Sequence, residues 1–167
     1  MDFQKELIAE YDREAASTRK MLEAIPADAD FNYKPHPKSM SLGHLAGHLA
    51  DMTGDWALST LVKDKLEFPA DHKWDPYVPA SKEALMEKFD SGLPEVRAAL
   101  AAVTPEGWDE QWQFIFGGNV YVDEPRCGVF RTMVLSHMIH HRAQLGVYLR
   151  LLDKPIPGTY GPSADGM

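Results

Sequence analysis

The sequence predicts an all-α protein: a four-helix bundle with long connections and a short β-hairpin ahead of the last helix. Three observations predict it. Four stretches repeat apolar residues at helical steps of three and four. Proline-rich segments separate them. One segment alternates apolar and polar residues around a Gly-Gly-Asn turn.

The first helix runs from about Asp2 to Ile25. Phe3, Leu7, Tyr11, Thr18, Leu22 and Ile25 line one face, and Pro26 ends it. The second starts near Ser39 or Ser41, either of which can cap exposed backbone N–H groups. Its stripe is Leu42, Leu45, Leu49, Met52 and Trp56. Ser81 opens the third, with Leu85, Phe89, Leu93, Val96, Leu100 and Val103 inward. Pro94, just after Gly92, lacks an N–H and clashes with the preceding turn, so a kink or short break is expected there. The fourth helix begins around Pro125 and reaches about Leu152, where Pro155 and Pro157 stop it.

Residues 26–40 and 67–80 each hold three prolines, and such long connections suit crossovers or the walls of a site. In the gap 104–124, Trp112, Phe114 and Phe116 alternate with Gln113 and Ile115. Gly117-Gly118-Asn119 then turns the chain toward Val120 and Val122, which reads as a hairpin. The tail from Lys154 onward is expected to lie over the bundle without regular structure.

At 167 residues the chain reads as one domain, residues 1–167, with enough length for an ordinary core. Apolar residues at 44% and charged residues at 25% exclude a disordered tail or a fibre. A net charge of -8 opposes approach to phosphates, so nucleic acid is not an expected partner. Cys127 is the one cysteine, which excludes an intrachain disulfide framework and a multi-cysteine zinc site. No apolar run is long enough to span a membrane, and the N-terminus has no signal-type apolar region, so a cytoplasmic protein is expected. There is no P-loop, no GxGxxG after a strand and no GxSxG.

Five of the seven histidines fall in two short segments. His44 and His48 are spaced i, i+4 on the second helix, and His137 and His141 on the fourth, with His140 alongside. One turn between two imidazoles puts both on one face, where they can share a metal. Spacing alone is weak, and helical angles sharpen it. His141 lies within about 25° of the centre of the fourth helix's apolar stripe, His137 about 65° from it, and His140 about 125° away. His48 lies about 70° from the centre of the second helix's stripe and His44 about 110°. His48, His137 and His141 therefore point to a shared interior, where unpartnered polar rings cost a few kcal/mol each. Two readings account for them. A divalent metal on three neutral His ligands leaves room for water or substrate, the catalytic pattern. The other is a polar network of histidines, waters and nearby Tyr or Gln.

Gln144, one turn past His141, reads either as an outer partner of that site or as a polar residue at the core rim. Asp51 and Asp55 read as solvated helix charges. Cys127 reads as a buried structural cysteine. Trp74, Tyr77, Trp108 and Trp112 read as packing residues of the loops and hairpin.

The run from Arg131 through His137, His140, His141, Arg142 and Gln144 to Arg150 resembles the C-terminal helix of the DinB (damage-inducible) family. Ser41-Leu42-Gly43-His44-Leu45-Ala46-Gly47-His48-Leu49-Ala50 resembles its second-helix motif. The tail Tyr160-Gly161-Pro162-Ser163-Ala164-Asp165 and the Gly117-Gly118 turn are similar to one subgroup, so the resemblance covers nearly the whole chain. It implies a DinB/YfiT-like bundle, often a homodimer, with a divalent metal, typically zinc or nickel, on His48, His137 and His141. Where many members carry Gly after the final His-Arg pair, this chain has Ala143.

Relatives of this kind include metal-dependent transferases that use a low-molecular-weight thiol and thiol-dependent isomerases. The leading expectation is a metal-dependent enzyme, of thiol transferase or hydrolase type, acting on a small-molecule substrate. Its rival is a non-catalytic stress-response protein that binds metal or a small ligand in the bundle.

Overall fold

The computed structural model describes residues 2–166. Helix α1 (Phe3–Glu23) is capped by the Asp2 carboxylate, which accepts the Lys5 backbone N–H at 3.1 Å. Its buried face follows the predicted stripe from Leu7 to Leu22, while Phe3 lies partly exposed and edge-on to Trp108. Of the two candidate serines, Ser41 caps the second helix, accepting the His44 N–H at 3.1 Å. This helix, α2, covers residues 42–62: α-helical Leu42–Asp51, a π-helical stretch Met52–Trp56, and α-helical Ala57–Val62.

Helix α3 (Lys82–Ala102) is capped by Ser81, which accepts the Ala84 N–H at 3.2 Å. Of the two expected outcomes at Pro94, a break does not occur: the helix continues through the proline. The segment just before the proline is held against α2 at a glycine crossing. A Cβ on Gly92 would come within 2.7 Å of the Gly54 Cα, so the two backbones pass closer than any side chain allows. Helix α4 covers residues 126–151, with α-helical Arg126–Val129, a longer π-helical stretch Phe130–Ser136, and α-helical His137–Leu151. It ends in a Schellman turn. Asp153 takes a left-handed φ of 55°, its N–H bonds Arg150, and the Lys154 N–H reaches back to Leu149.

The purely all-α expectation needs correcting. The fold is four helices with a small three-stranded sheet in the order β1-β2-β3. The predicted hairpin is present as β2 (Gln111–Phe116) and β3 (Asn119–Pro125), with Gly117 and Gly118 at positive φ in the turn. The third strand, β1 (Lys65–Phe68), pairs parallel with β2 and comes directly off the end of α2. Its four-residue alternation was too short to register in the sequence.

Arg126 fastens this sheet to the bundle. Its buried guanidinium donates to the carbonyls of Thr60, Lys63 and Gly107 and reaches Asp64 and Glu110. The tail lies over the bundle as expected. The Tyr160 hydroxyl bonds Glu14, and both meet the buried Arg142 that links α4 to α1. Asp165 pairs with Arg150. Among the described residues no helix is long and apolar enough to cross a membrane.

Candidate metal centre

Packing α2 against α4 carries the three selected histidines together. One ring nitrogen from each of His48, His137 and His141 lies within 4.8 Å of the other two. The ring centroids are 5.3 Å apart for His48 and His137, 4.7 Å for His48 and His141, and 4.6 Å for His137 and His141. His141 is buried and the other two are half-buried.

The outer nitrogen of His141 is already engaged. Gln144 Oε1 lies 2.7 Å from His141 Nδ1, and an amide oxygen only accepts, so Nδ1 carries the proton. Burial lowers the His137 pKa, opposed by the Met133 backbone carbonyl one turn back. The His141 Nε2, on the side away from Gln144, lies 2.8 Å from His137 Nε2. An N–H of His137 donating to His141, or a cation held between the two nitrogens, satisfies that approach. Protonation is disfavoured, since burial lowers the pKa of all three rings, and His48 falls to about 4 with His141 and His137 adding to the effect. Three neutral imidazoles, one of them held from behind by Gln144, are a donor set that fits a divalent transition ion.

A cleft of about 550 Å³ opens onto this cluster. His48 and His137 line it, and buried His141 lies behind them. Met52, Trp56 and Met133 give it an apolar wall. The segment leading from β1 toward α3 supplies the opposite wall through Trp74, Asp75, Pro76 and Tyr77.

The remaining candidates separate cleanly. His44 lines the cleft but stands outside the three-ring cluster, its pKa lowered by burial and by nearby Lys34. His140 is exposed, with its ring 4.9 Å from that of His141. Gln144 is the outer partner of His141. Asp55 is a solvated charge paired with Lys88. Asp51 departs from that reading. It is half-buried, it lines the cleft, and burial raises its pKa against the opposing pull of Lys88 3.4 Å away. Trp108 and Trp112 are packing residues, 4% and 0% exposed, whereas Trp74 is 57% exposed and faces the cleft instead of a core. Cys127 is half-buried, not fully enclosed. The roles of Met133 and Trp56 were not anticipated. The signal available was position: Met133 lies one turn before His137, and Trp56 two turns beyond His48 on the same face.

A sequence profile of the DinB superfamily matches residues 10–145, a span that includes all three histidines. The chain belongs to the DinB superfamily. In fold it is similar to a DinB-like protein from Bacillus cereus known from its crystal structure, with a TM-score of 0.67 and 24% identity over 90% of this chain and 93% of that one. No curated protein matches the sequence. For this DinB-superfamily chain the chemistry must therefore be argued from the site itself.

Proposed function

We propose that the protein is a metal-dependent enzyme acting on a small molecule, with a divalent ion, zinc or nickel, held by His48, His137 and His141. One observation carries the reading: ring nitrogens of three imidazoles from two helices lie within 4.8 Å of one another, with two of the rings lining a cleft. A bound ion supplies Lewis-acid chemistry there, activating a low-molecular-weight thiol or a water toward a small electrophile.

The chain's own residues do the rest. Gln144 holds the His141 ring with its Nδ1 proton outward, which leaves Nε2 free to bind. Met52, Trp56 and Met133 exclude water from one side of the cleft. Asp51, whose raised pKa reflects burial, can hold a proton at its carboxylate on the same face of α2 as His48. The cleft favours an enzyme over a storage or stress-binding protein, because two of the three rings face it. The net charge of -8 favours a small-molecule substrate over nucleic acid. A homodimer fits the same family reading.

Cobalt-loaded protein tests the proposal. Titration with 2-mercaptoethanol should produce a sulfur-to-cobalt charge-transfer band, or the loaded protein should hydrolyse an activated ester such as p-nitrophenyl acetate. Either signal should vanish in His48→Ala. Stoichiometric cobalt with neither signal contradicts an enzyme and leaves the binding-protein role standing.

A further inference from the structure

Trp74 is open to solvent, yet its ring is held in place. It lies 4.9 Å from Phe68 of β1, meets His72 edge-on at 4.7 Å, and runs nearly parallel to Phe116 of β2, with 16° between planes at 6.2 Å. Phe68 in turn lies 4.5 Å from His72 and 6.1 Å from Phe114. The sheet thus supports the indole, while 57% of the residue stays exposed and lines the cleft. A tryptophan serving packing alone is covered, as Trp108 and Trp112 are. A large apolar face kept open and fixed at a cavity marks a binding surface, because little freedom is left to lose when a ligand covers it.

The other aromatic walls offer carbon as well. Trp56 donates its Nε1 proton to the Met133 carbonyl at 2.9 Å, and the Tyr77 hydroxyl donates to the Ala84 carbonyl at 3.2 Å. Both donors are satisfied within the protein, so neither ring brings a free N–H or O–H to the cleft. Among the described residues no lysine or arginine lines the cavity, whereas Asp51 and Asp75 do. An anionic group on a ligand meets no fixed positive side chain there. The volume of about 550 Å³ is that of a small-molecule site.

We propose that Trp74 is a specificity-determining residue, the platform for a substrate whose non-reacting part is a flat apolar group without anionic charge. The inference rests on the enzyme reading above and names its substrate class. An aryl ring laid on the indole gains more than area burial alone supplies. It is then held in the same cavity that His48 and His137 line.

Three probes of similar size test this on the full chain: 1-naphthalenemethanol, its fully saturated decahydronaphthalene counterpart, and 1-naphthoate. The readout is the set of four indole N–H signals in proton–nitrogen NMR, taken without metal so that no ion attracts the carboxylate. The Trp74 signal, identified by its loss in Trp74→Leu, should shift on titration with 1-naphthalenemethanol. That probe should bind about three- to tenfold more tightly than the saturated alcohol, and about tenfold or more tightly than 1-naphthoate. In Trp74→Leu, followed through the Trp56 signal, its affinity should fall about tenfold and the preference for the flat ring should disappear. Tyr121→Leu removes a comparably exposed aromatic outside the cleft and should bind as wild type. Equal affinity for flat and saturated probes, 1-naphthoate binding as tightly as the alcohol, an unmoved Trp74 signal, or equal loss in Tyr121→Leu overturns the proposal.

The metal-free titration also separates this claim from the metal reading. Trp74-dependent selection by a chain that takes up no zinc supports the platform and contradicts the metal reading alone. Zinc uptake by a chain that shows no such selection overturns the platform and leaves the metal reading standing.

Discussion

Helices α2 and α4 carry the same motif, two histidines one turn apart, and use it differently. On α4 both rings converge, 4.6 Å apart, with Gln144 behind His141. On α2 only His48 joins them, and His44 stays at the cleft beside Lys34. The spacing is identical, so it does not decide the outcome. Rotational phase does. Leu45, Leu49 and Met52 seat α2 in the core and bring His48 to the α4 interface, while His44, three residues past the Ser41 cap, falls to the side. A two-histidine turn becomes a site only where its phase meets donors on another helix.

The largest effects are expected at the three clustered histidines. His48→Ala, His137→Ala and His141→Ala should each weaken metal binding by more than the 10–100-fold expected from losing an outer partner. Isothermal titration against zinc measures it. Gln144→Ala should fall within that smaller range, because it frees the His141 tautomer without removing a donor.

Protons should compete in a defined window. The His48 pKa is depressed from 6.5 to about 4 in the folded chain, so between those values the unfolded chain binds more protons. Folding stability of the metal-free protein should therefore be full above pH 6.5 and be lost as pH falls toward 4, with metal affinity falling in the same direction. Denaturant melts from pH 7.5 to 4.5, flattened in His48→Gln, check the sign.

Gly92→Ala probes the packing that sets the phase of α2. A Cβ at 2.7 Å from the Gly54 Cα forces the helices apart and should cost about 1–3 kcal/mol in chemical denaturation. The smallest effects belong to the histidines outside the cluster. His44→Ala and His140→Ala should leave zinc affinity at the wild-type value, and a loss in either that rivals His137→Ala would show that phase is the wrong criterion.

Much of this was legible in the sequence. The four helices followed from Leu, Val and aromatic residues at steps of three and four, and wheel angles alone chose His48, His137 and His141 over His44 and His140. Local alternation located the β2–β3 hairpin. What was hidden depended on partners distant in sequence. Strand β1 exists because Lys65–Phe68 meets Gln113–Phe116, a pairing that four residues cannot announce. The two π-helical stretches have no composition signature, and they are where Trp56 and Met133 meet. Asp51 resembled any surface charge on α2 until the cleft wall from 74 to 77 enclosed it. At Pro94 the sequence left a kink and a short break both open, and only the packed helix decides against the break.

The three imidazoles of His48, His137 and His141 are proposed to hold one metal ion. Elemental analysis of untagged protein, purified without chelators or immobilised-metal resin, tests it most directly. The account predicts about one equivalent of zinc or nickel per chain in the wild type and a near-empty site in His137→Ala, where two ligands remain. Wild-type protein without stoichiometric metal that also fails to take up zinc on titration, or a His137→Ala chain that retains a full equivalent, would contradict it.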